Sequence, residues 1–104
     1  MAMNMQQMMK QARKMQAQLA ETQEHLKDVE VTATAGGGMV KVVATADGAL
    51  KSIEIDPEAL DPEDVELIQD TILAAVNDAL ASAQDVANQQ IGALTGGMNI
   101  PGLF

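Results

Sequence analysis

A chain of 104 residues with 47% apolar side chains, one aromatic (Phe104) and no cysteine has room for a single domain, and it excludes disulfide staples and thiolate chemistry. The apolar set is mostly alanine, valine and methionine, so burial per side chain is small, the isolated domain is marginal, and self-association is expected. The net charge of −9 argues against a nucleic-acid partner until its distribution is read. Residues 1–20 carry Lys10, Arg13 and Lys14 and no acid, while residues 21–104 carry three basic and fifteen acidic side chains, a balance of −12.

Residues 3–28 predict one long helix. Met5, Ala12, Leu19 and Leu26 recur at one heptad position, and Met8, Met15 and Thr22 take the other seam position. The segment has no Gly or Pro and is rich in good helix formers. At 1.5 Å per residue it would be about 39 Å long, so part of it should project from the body or lie on a partner.

From Val29 the period changes to two. Val29, Val31, Ala33 and Ala35 alternate with polar residues up to Gly36-Gly37-Gly38. Val40, Val42, Ala44 and Ala46 alternate up to Asp47-Gly48, and Ile53 and Ile55 precede Pro57. A two-residue turn at Asp47-Gly48 sets Val42 opposite Ile53, Val40 opposite Ile55 and Lys41 opposite Glu54, with an ion pair at the last position. A turn centred on Gly36-Gly37 sets Val31 opposite Val42 and Ala33 opposite Val40. Together these predict a three-stranded antiparallel meander with one apolar face.

A second helix is expected from Asp61 as N-cap, with Pro62 in the first helical position, to about residue 90. Its apolar arc is wider than the roughly 100° one sheet needs, so it should touch both its own sheet and another subunit. Ile72, Ala75, Val76 and Ala79 are the expected dimer interface. Residues 92–104 hold Gly92, Gly96, Gly97, Gly102 and Pro101 and read as a flexible tail after a domain of residues 1–91. The predicted class is α+β, in the order α-β-β-β-α, as a homodimer.

Lys10, Arg13 and Lys14 share the helix face opposite the methionine seam, and no acid neutralises them before Glu21. An anionic partner accounts for this spacing, and so does a plain solvated face. The methionine stripe reads as packing surface, since methionine fills irregular gaps. The triple glycine lacks the helix start or the Lys-Ser/Thr pair of a phosphate cradle and reads as a turn. The acids from Glu54 to Glu66 do not have calcium-loop spacing, and His25 has no second His or Cys to form a zinc site with. No metal, cofactor, small-molecule substrate or enzymatic activity is expected. No apolar run reaches the roughly 18 residues of a membrane span and no leader pattern opens the chain, so a cytoplasmic protein with no membrane partner is expected.

Several stretches together resemble the YbaB/EbfC nucleoid-associated family. They are Met8-Met9-Lys10-Gln11-Ala12, Gly36 to Gly38 with Met39-Val40-Lys41-Val42, Ile53-Glu54-Ile55-Asp56-Pro57, Ala75-Val76-Asn77-Asp78-Ala79, and Gly96-Gly97-Met98 with Ile100-Pro101-Gly102. The resemblance covers essentially the whole chain in order. It implies a tweezer-shaped dimer whose first helices are projecting arms. It also implies DNA binding in the nucleoid with little sequence specificity, and effects on chromosome organisation and gene expression. Lys10, Arg13 and Lys14 match the first-helix binding positions. The stretch Ala79 to Gln90, basic in some relatives, has no Lys or Arg here. The alternative is a dimeric protein-interaction scaffold that uses the same arms on an acidic protein.

Overall fold

The computed structural model describes residues 4–95. Their elements follow the order helix, three strands, helix, and the molecule measures 72 × 26 × 16 Å. Helix α1 spans Met5–Leu26, and the Asn4 side chain caps it by accepting the Gln7 N–H at 2.8 Å. Strands β1 (Glu30–Ala35), β2 (Val40–Thr45) and β3 (Leu50–Ile55) form an antiparallel sheet in that order. A 3-10 turn, Pro57–Ala59, leads to helix α2, Val65–Thr95. The α+β meander is thus the one expected.

The β2–β3 register is as expected: Val40 faces Ile55, Lys41 faces Glu54 and Val42 faces Ile53. The hairpin itself is one residue longer than two. Thr45 and Ala49 close it through Thr45 N–H to the Ala49 carbonyl at 2.8 Å, leaving Ala46-Asp47-Gly48 as the loop with Gly48 at φ 95°. A bulge restores the register: Val43 faces Ser52 while Ala44 faces Leu50, so Lys51 is the extra residue. Among the described residues no ion pair joins Lys41 to Glu54; Lys51 instead pairs with Glu30 across β2.

The β1–β2 register corrects the expected one. Val31 faces Ala44 rather than Val42, and Ala33 faces Val42 rather than Val40. Four residues, Gly36 to Met39, make the loop, because all three glycines take positive φ (66°, 70° and 93°) before the Met39 N–H closes on the Gly36 carbonyl. The displacement is two residues, which is the side-chain period, so the same residues still share the inward face.

Helix α2 starts later than expected. Asp61 accepts the Glu63 N–H at 2.9 Å and its carbonyl accepts the Asp64 N–H, which makes a separate turn with Pro62 at its second position. Asp64, not Asp61, caps the helix, accepting the Leu67 N–H at 3.2 Å. The helix continues past residue 90 to Thr95, so four residues assigned to the tail are helical; residues 96–104 lie outside the described residues.

The core forms where α2 crosses β1 and β2. Val40, Val42 and Ala44 meet Ala75 and Ala79, all fully buried. Small alanines let the helix approach closely, and this explains how a chain without interior aromatics closes a core. Two of the four expected dimer residues are therefore core within one chain, since Ala75 and Ala79 have no surface left to offer a partner. Ile72 and Val76 are half-buried and pack against the same cluster.

Candidate nucleic-acid interface

The C-terminal half of α1 lies beside the distal part of α2: Gln18, Thr22 and His25 border one cleft with Gln90 and Leu94, and Leu26 borders another with Leu80 and Ile91. Burial along α1 falls outward from that contact. Leu26 is buried, Thr22, Leu19 and Met15 are half-buried, and every residue from Asn4 to Lys14 is exposed. The first ten helical residues are thus an arm of about 15 Å, exposed along its length.

Lys10, Arg13 and Lys14 stand on this arm, all exposed. Among the described residues, the ion pairs engage other cations: Lys27 with Glu24 at 3.0 Å, and Lys51 with Glu30. The Glu24 hydrogen bond holds the Lys27 ammonium above its usual pKa. The three arm cations have no such partner. Lys10 and Lys14 lie one turn apart, about 6 Å along the axis, with Arg13 between them. That spacing is close to the roughly 7 Å between successive phosphates of one DNA strand, given the 3.4 Å rise per strand and the helical path.

A dense run of acids lies at the far end. Leu26, Ala46 and Gly48 mark the end of the sheet from which the arm leaves. Asp56, Glu58 and Gly36 to Gly38 mark the opposite end, followed by Asp61, Glu63, Asp64 and Glu66. A phosphate approaching the triple glycine would meet Asp56 and Glu58, so that loop is a turn and not an anion cradle. Among the described residues there is no group of three or more His, Cys, Asp or Glu placed to hold a metal, and no helix is long and apolar enough to cross a membrane.

A second surface was not read from the sequence. On the inward face of the sheet, Val42 is fully buried while its cross-strand partner Ile53 is 44% exposed, and Leu50 beside Ala44 is 46% exposed. Helix α2 packs mainly on β1 and β2, and on β3 only Ile55 joins the core cluster. Leu73 is 59% exposed on the same side of α2 as Leu80, seven residues on, which borders the β2–β3 hairpin. The alternation of Ile53 and Ile55 signalled an apolar face on β3, but only the placement of α2 shows that the described residues leave it partly uncovered.

The model of the YbaB/EbfC DNA-binding family matches residues 1–98. The chain belongs to that family. A nucleoid-associated protein of Pelotomaculum thermopropionicum is 59% identical over 101 residues, covering 97% of this chain and 96% of the relative. One from Alkaliphilus metalliredigens is 52% identical over 103 residues, covering 99% and 90%. The crystal structure of an uncharacterized protein from Helicobacter pylori shares the fold at a TM-score of 0.72 and 28% identity, covering 93% of this chain and 98% of that one.

Proposed function

We propose that this YbaB/EbfC protein binds DNA in the nucleoid through the phosphate backbone, using Lys10, Arg13 and Lys14 on the α1 arms of a homodimer. The observation that carries this reading is the unpartnered cationic arm, held clear of an acidic body. Its neighbours Gln6, Gln7 and Ala17 offer few groups to read base edges, and phosphates carry no sequence, so specificity is low. Repulsion from the −12 of the remaining chain confines contact to the arms.

The dimer face is the uncovered strip of Leu50, Ile53 and Leu73 together with the half-buried Val76. These side chains are apolar, and a second copy would complete the layer that α2 leaves open over β3. Ala75 and Ala79 support that face from beneath.

Fluorescence anisotropy with a random-sequence duplex tests the assignment against the scaffold alternative. Binding at low salt to random and native duplexes alike, lost when the three cations become alanine, supports the DNA reading. No binding to any duplex by a folded protein leaves the scaffold reading.

A further inference from the structure

The cationic face of α1 does not run out into neutral helix. At about 100° per residue, the mean direction of Lys10, Arg13 and Lys14 and that of Glu21 and Glu24 agree to within about 5°. One stripe of the helix therefore carries the three cations and then the two acids, with Ala17 between them and Asp28 just past the helix end. All of these side chains are exposed. Among the described residues Lys27 pairs with Glu24 at 3.0 Å, whereas Glu21 is in no ion pair. Glu21 follows Lys14 by seven residues, about 10 Å along the axis.

We propose that Glu21 is a positioning residue for DNA: its carboxylate sets the inner edge of the contact, so that the duplex crosses the arm between Gln6 and Ala17 instead of lying along α1. The inference rests on the reading of the arm as the DNA contact. A line of phosphates following the stripe from Lys14 toward the body would next meet the Glu21 carboxylate, with no paired cation to offset the repulsion. The stretch from Gln6 to Ala17 is about 16 Å long, room for two or three phosphates of one strand at roughly 7 Å apart. A duplex laid along the helix would need more length than that and would cover Glu21 and Glu24; a duplex crossing the arm avoids both. The edge also keeps phosphates out of the cleft that Gln18 and His25 border with Gln90. This effect is local. It comes from an acid on the helix that carries the cations, not from the total charge of the body. Two unit charges about 10 Å apart in water at low salt are enough to change binding about two-fold per arm.

The test compares Glu21→Lys, Glu21→Gln and Glu21→Asp with Glu58→Lys, an exposed site at the opposite end of the body that makes the same charge change as Glu21→Lys. Each full-length variant is titrated with a random-sequence duplex by fluorescence anisotropy over a salt series, and circular dichroism checks that its helix content is kept. Glu21→Gln should tighten binding about two- to four-fold at low salt. Glu21→Lys should tighten it about ten-fold or more and steepen the slope of log K against log salt by up to about 1.8 per dimer, because each arm gains a phosphate contact. Glu21→Asp should bind as wild type, and Glu58→Lys should leave the slope unchanged. Equal slopes for Glu21→Lys and Glu58→Lys would overturn the proposal, since total charge would then account for both, while the arm reading would stand. Unchanged low-salt affinity in Glu21→Gln would overturn it as well, and needs no new cation on the helix. A folded wild-type protein that binds no duplex would refute the DNA reading itself and the edge with it.

Discussion

Replacing Ile53 by alanine tests where two copies meet. Ile53 is 44% exposed although its partner Val42 is completely buried. Full burial of an isoleucine side chain is worth roughly 1.5–3 kcal/mol, so the part left in water can yield about 1 kcal/mol per protomer when a second copy covers it. A two-fold dimer uses the residue twice, giving about 2 kcal/mol per dimer, or roughly 30-fold in the dissociation constant. Sedimentation equilibrium over a dilution series reads that change directly. A urea melt at two protein concentrations should show the wild-type midpoint rising with concentration and the variant's rising from a lower value. If Ile53→Ala dissociates no more readily than wild type, the β3 face is not the contact. A stable wild-type monomer near 10.9 kDa would remove the dimer altogether.

Val42→Ala should cost about 2–3 kcal/mol in urea unfolding, from lost burial plus a cavity in a fully packed site. Asp64→Ala should cost about 1 kcal/mol through loss of the helix cap, with the first turn of α2 losing amide protection. Gly36→Ala should destabilise more than Gly37→Ala, because both take positive φ but only the Gly36 Cβ would crowd Thr71 Cγ2, at 2.9 Å; thermal unfolding of the pair reads the difference.

The sequence made the meander and the two helices legible because the strands largely alternate and both hairpin loops contain glycine. It also located the arm cations, since an acid-free run of 20 residues is a feature of composition. The β1–β2 register was not legible. A loop of two or of four residues through Gly36 to Gly38 puts the same side chains inward, so the apolar pattern cannot choose between them. The start of α2 was ambiguous for a local reason: Asp61 and Asp64 both have the chemistry of a cap, and Pro62 suits a turn as well as a first helical position. Periodicity marks an apolar arc on α2 without saying which part its own sheet consumes. Ala75 and Ala79 go to the core, and the surplus is at Leu73 and on β3.

Three exposed cations per arm are expected to meet DNA phosphates. The salt dependence of binding tests it most directly. Six cations per dimer, each neutralising one phosphate at roughly −0.9 per contact, predict a slope of log K against log salt no steeper than about −5. The triple variant Lys10→Ala, Arg13→Ala, Lys14→Ala should lose binding on random and native sequences alike while sedimenting as the same dimer. A triple variant that binds with the wild-type slope would show that these cations are not the DNA contact.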